Sequence, residues 1–192
     1  MANVNAPFGL RPVRSLSAAD TQVNEYVGAA AYGTAIYIGD PLLTVGTSTS
    51  ANAPYPDGTP LVQVTSTITT TAMVGAAVGV RPTLTNLTLQ YRPASTLQGV
   101  LVADAPYQIF QIQSIGTMLS TDVGATAGIT TGTGSTYTGL SAYTMTETGA
   151  GTSSYVLKVR RLAPIANNLL GASSIAEVTI NLHENGSTAA GT

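Results

Sequence analysis

Cysteine and tryptophan are absent from this chain, histidine occurs once, and charged residues make up only 8% of it, against about 25% in typical soluble domains. Without cysteine there are no disulfides, no thiolate metal ligands and no thiol nucleophile. With one histidine besides, a zinc site would have to be built almost entirely from carboxylates. The net charge is −2 and the pI near 5.1, so the broad basic field of a nucleic-acid binder is missing. No long apolar run occurs either. The stretch Ala72 to Val80 is the longest candidate; it holds two glycines and falls short of the roughly 18 residues of a membrane span. The opening Met1 to Arg14 places Pro7, Pro12 and two arginines where a signal peptide needs an apolar core. The expectation is a soluble product, not secreted through a cleaved signal, with no cofactor, no nucleic acid and no membrane among its partners.

What is present argues for a packed fold. Hydrophobic residues make up 44% of the 192, too many for intrinsic disorder, and the length suffices for a core without staples. Solubility rests on Thr, Ser, Asn and Gln, with Thr the commonest residue. A surface of that kind repels its neighbours weakly and tends to associate. An assembly subunit is therefore preferred to a neutral, polar-surfaced monomer.

The pattern along the chain is that of short strands. Residues 1–33, with Pro7, Gly9 and Pro12, read as an extended N-terminal arm and lead-in. Residues 34–192 read as one β-rich domain. Strands are predicted at Thr34 to Ile38, from Pro41 to Val45, at Leu61 to Val64 and from Met73 to Val80, where Gly75 or Gly79 would admit a neighbouring backbone. Others are predicted at Gly99 to Ala103 and Tyr107 to Gln113, the latter central, with Phe110 and Ile112 on one face. In the C-terminal part, Tyr155, Leu157 and Val159 alternate with Lys158 and Arg160, leaving Arg161 on the opposite face from those two. Val178, Ile180 and Leu182 alternate with outward Glu177, Thr179, Asn181 and His183. The Gly/Thr-rich segment 114–154 is expected to form weak, exposed hairpins. The fold class is all-β, a β-barrel or β-sandwich with an extended N-terminal arm and little helix.

Residues able to do chemistry are scattered. A catalytic triad would need His183 as its base, oriented by a carboxylate and next to an activated serine, but its place on a polar strand face reads as that of a solvated residue. The acids Asp20, Glu25, Asp40, Asp57, Asp104, Asp122, Glu147, Glu177 and Glu184 stand singly, with no D-x-D-x-D ladder for calcium. Asp40 and Asp104 sit beside proline turns, where an aspartate caps backbone N–H groups. Gly132-Thr133-Gly134-Ser135 lacks the lysine of a phosphate loop and reads as a flexible turn. Asn86-Leu87-Thr88 and Asn185-Gly186-Ser187 match glycosylation sequons by chance. An enzyme is not expected.

The opening Asn5-Ala6-Pro7-Phe8-Gly9-Leu10-Arg11-Pro12-Val13 resembles the start of small structural proteins of tailed bacteriophages. Three later stretches are similar to theirs in the same order: Ile38-Gly39-Asp40-Pro41, then Asp104 to Gln113, then Ala166-Asn167-Asn168 with Val178 to His183. The resemblance is to the head decoration (cement) proteins. It implies a β-rich homo-oligomer, dimer or trimer, bound to the major capsid protein on the outer capsid surface of the virion and stabilising the shell. On that reading the arm docks by adding to a neighbour's sheet edge, Phe8 and Leu10 anchor it, and Arg11 and Arg14 pair with capsid carboxylates, with Lys158 and Arg160 as further docking candidates. Alternatives are a tail, neck or minor capsid protein, or a carbohydrate-binding β-sandwich module, given nine tyrosines.

Overall fold

A computed structural model describes residues 3–17, 21–50, 54–64, 67–68, 70–84, 86–146 and 155–186. Asp20, Glu147 and Ser187 of the second sequon lie outside them. The chain is all-β; among the described residues the one helical element is a single 3-10 turn, Ser120–Asp122.

Five strands close a barrel: β2 (Val23–Gly28), β4 (Pro60–Val64), β3 (Pro41–Ser48), β6 (Gly75–Val80) and β7 (Gln98–Ala103), in that order, with β7 returning to β2. Only β2 and β4 run parallel. Alternate residues of a strand face the same side, and Leu42, Val62, Val64, Val100 and Val102 bury themselves in this way. The small residues of β6 let its backbone approach β7 closely. A side chain at Gly75 would run into the Ala103 carbonyl, as the apolar glycine pattern of that strand predicts.

The second module is a seven-stranded sheet. Its path is β1 (Arg11–Ser15), β8 (Gln108–Gln113), β14 (Ile175–Ile180), β12 (Leu157–Leu162), β10 (Thr126–Thr130) and β11 (Thr144–Thr146), and β5 (Thr67–Ile68) also pairs with β10. A two-stranded ribbon, β9 (Thr117–Met118) with β13 (Gly171–Ala172), lies beside it. Phe110, Ile112, Leu157, Val159, Ala176 and Val178 form the inner face and join the barrel side chains in one continuous core. β8 is central, as its sequence predicts, with Phe110 and Ile112 inward. The 114–154 segment is more integrated than exposed hairpins. β10 pairs with β12, and Ala127, Ile129 and Met145 are buried.

Residues 1–33 are not a separate arm. They supply β1 to the sheet and β2 to the barrel. Ahead of β1 the chain is held by its own domain. The Asn3 side chain donates to the Leu169 and Ala172 carbonyls, and Gln113 receives a bond from Ala6 N and donates to the Val4 carbonyl. Leu10 N donates to the Gly39 carbonyl at 2.8 Å. Gly9 and Gly39, at φ +72° and +97°, are packed too closely for either to carry a side chain. Residues 34–38 form no strand. Ile36 and Ile38 make single bridges, to Arg92 and Leu140, in the connection from β2 to β3.

Candidate functional site

β1 and β12 flank the pair β8–β14, and each carries two basic residues three positions apart. Strict alternation would put residues three apart on opposite faces. Both strands bulge between them: the register shifts between Pro12 and Arg14 on β1, and between Val159 and Arg161 on β12. A bulge inserts one extra residue and resets the alternation. Arg11, Gln111, Glu177 and Arg161 therefore form one cross-strand row. Arg14, Ile109, Thr179 and Lys158 form the next. Arg160 is the extra residue of the β12 bulge and is exposed. Arg161, expected to oppose Lys158, lies on its face instead.

Five of the seven cations of the chain thus gather on four strands whose one acid is Glu177. Glu177 was expected to face solvent; it faces outward but is only 3% exposed. Arg14 Nη2 and Arg161 Nε each donate to its Oε2 at 2.8 Å. Burial pushes its carboxyl up, but the bonds from Arg161 and Arg14 outweigh that and hold it below the usual range. Arg11 donates to Gln111 Oε1 at 2.7 Å and lies over the Phe8 ring, 4.7 Å from its centre. Arg11, Lys158 and Arg160 have no acidic partner among the described residues. By strand spacing the cation grid measures roughly 14 by 7 Å.

The apolar candidates are placed differently. Leu10, expected to anchor in a partner, is 1% exposed and sealed in the core of its own chain. Phe8 is half-buried and lines a groove of about 290 Å3 with Pro12, Ile38, Val78 and Leu140. The sheet edge at β1 carries Pro12, two arginines and a bulge, features that block strand addition. The expected pairing of the arm with a neighbouring sheet is made within the chain, to β8.

A cleft of about 760 Å3 lies where barrel and sheet meet and is lined by Tyr32, Tyr37, Asp40, Gln63, Thr131 and Tyr143, among others. Its aromatic surfaces are already covered. Tyr37 stacks on Tyr91 with ring centres 5.1 Å apart, and Gly134 packs against the same ring. Arg92 lies over Tyr32, and Tyr143 is buried. The Gly132–Gly134 segment is thus close-packed, against Ala142 and Tyr37, where a flexible turn was expected.

Buried polar groups are used to hold the chain together. His183, expected in solvent, is 5% exposed. Its Nδ1 accepts from Asn185 N at 3.0 Å, which leaves the proton of the neutral ring on Nε2. Burial holds its pKa below the ordinary value, against the pull of Asp104. Asp104 accepts from Asn24 and from the Tyr26 hydroxyl, the latter at 2.8 Å. Asp40 caps its turn, accepting from Tyr37 N at 2.8 Å, and burial pushes its pKa up to about 6. Arg92 is fully buried and donates to the carbonyls of Ala29, Tyr32, Thr34 and Thr96. Nothing in the local sequence distinguishes Arg92 from a surface arginine; the following Pro93 marks only the turn.

A comparison with known protein families, curated proteins and solved structures found no match to this chain.

Proposed function

We propose that the chain is a structural virion protein, a decoration protein that binds the outside of an assembled icosahedral capsid and stabilises it, and that it performs no catalysis. The observation that carries this reading is the surface. Among the described residues, sixteen large hydrophobic side chains are exposed on a chain with few charges to keep neighbours apart. They include Leu119, Leu169 and Leu170 around the β9–β13 ribbon, and Leu84 and Leu87 in the β6–β7 loop. Grouped apolar exposure of this kind marks surfaces that are covered in an assembly. The buried Asp40, Arg92, Asp104 and Glu177 support the reading from the other side, because each is bonded within the chain, holding turns and strands together.

The mechanism is mass action. A protein that binds the assembled shell and not its separated subunits stabilises the shell by the free energy of that binding. The partners are the major capsid protein and other copies of this chain, as dimer or trimer. Light scattering on the purified chain, followed by co-sedimentation with heads of the source virion, tests it. Oligomers that saturate heads at a fixed stoichiometry and raise their melting temperature support the proposal. A monomer that leaves heads untouched overturns it.

A further inference from the structure

We propose that the outer face of β1–β8–β14–β12 is the docking face, and that it takes a carboxylate-rich protein surface. The identity of that partner as the outer capsid shell rests on the function proposed above; the chemistry of the face does not. Two bulges, one on each flanking strand, bring Arg11 with Arg14 and Lys158 with Arg161 to a single side. On β12 the bulge also serves the core, since strict alternation would turn Arg161 inward where Leu162 now packs opposite Ala176. The consequence of the two bulges is a basic grid on a chain whose net charge is −2.

The grid is preorganised. Glu177 fixes Arg14 and Arg161 from beneath, and Gln111 with Phe8 fixes Arg11. Arginine in a fixed orientation binds carboxylates through paired N–H donors, with less side-chain entropy to lose. The remaining charges, Lys158 and Arg160, stand on the same flank without acidic partners among the described residues. Protein carboxylates fit this face better than a nucleic-acid backbone. The grid spans roughly 14 Å, room for a few carboxylates and not for a tract of phosphates.

Lys158 is the only lysine in the chain, which makes a direct test available. A water-soluble carbodiimide joins an amine to a carboxylate with no spacer, and Lys158 and the N-terminal amine are the only amines this chain offers it. On decorated heads, the expected product is a peptide linking Lys158 to an Asp or Glu of the shell. Lys158→Arg abolishes that link, and Lys158→Glu with Arg160→Glu lowers occupancy by about tenfold or more. Linkage through the N-terminal amine alone, or full occupancy of the charge-reversed variant, overturns the inference. If the wild type ignores heads, the proposed function falls, and the docking face is judged on immobilised poly-L-glutamate against duplex DNA. Charge-sensitive retention on poly-L-glutamate upholds it; stronger retention on DNA, or none on either, overturns it.

Discussion

Lys158 and Arg161 stand three residues apart on one strand and yet share a face, because β12 bulges at Arg160 and brings Arg161 opposite Glu177. Glu177 in turn holds Arg14 of the first strand, so one buried carboxylate ties both flanks of the sheet. Glu177→Ala would leave two guanidinium groups without their acceptor. The expected outcome is a lower urea midpoint, with faster amide exchange at Arg11 to Ser15. Unchanged exchange on β1 would contradict this role.

Asp40 and His183 impose opposite pH dependences. The folded pKa of Asp40 is raised, so its contribution is full below the unfolded value near 3.8 and is lost as pH rises through about 6. The folded pKa of His183 is lowered, so its contribution is present above the unfolded value near 6.5 and is lost as pH falls. Asp40→Asn removes the first effect and leaves the turn cap. Relative to wild type the variant should gain about 3 kcal/mol between about pH 4 and pH 8. A constant difference across that range would show that Asp40 does not titrate there.

Arg92 is a second test of the buried network. Its guanidinium caps four carbonyls and pins residues 29–34 to residues 92–96. Arg92→Met fills similar volume but leaves those carbonyls unsatisfied, costing about 3 kcal/mol or more. Arg92→Lys should rescue little, since an ammonium cannot reach four acceptors in a plane. Thermal melts of both variants near the wild-type value would refute the assignment.

The seat of the N-terminal segment is tested at Gly9. Its φ is +72° and it abuts Gly39. Gly9→Ala combines a left-handed strain of about 1 kcal/mol with a backbone clash, and the sum should exceed about 2 kcal/mol. An unaltered urea midpoint would mean that the segment is not seated as described.

Much of the architecture is legible in alternation. Gln108 to Gln113, Leu157 to Val159 and Val178 to Ile180 all point as their spacing predicts. The stretches that suggested a resemblance turn out to be joints of the fold: Gly9 meets Gly39, and Asn168 bridges the Ala163 and Ile175 backbones. What alternation cannot reveal is a bulge, because the extra residue looks like any other. Hence Arg161 was expected on the wrong face. Burial on an outer face is equally hidden. Glu177 and His183 sit at polar positions of the pattern, yet Glu177 lies under Arg14 and Arg161 and His183 is bonded to Asn185 N. The arm was expected to find a partner elsewhere because sequence shows its unpaired donors but not that β8 of the same chain is there to accept them.

The most direct test of the account is a cryo-EM reconstruction of heads saturated with the chain. The account predicts density on the outer surface with the β1–β8–β14–β12 face turned toward the shell and Lys158 and Arg160 within reach of capsid acids. Heads without added density, or density with that face turned to solvent, would contradict it.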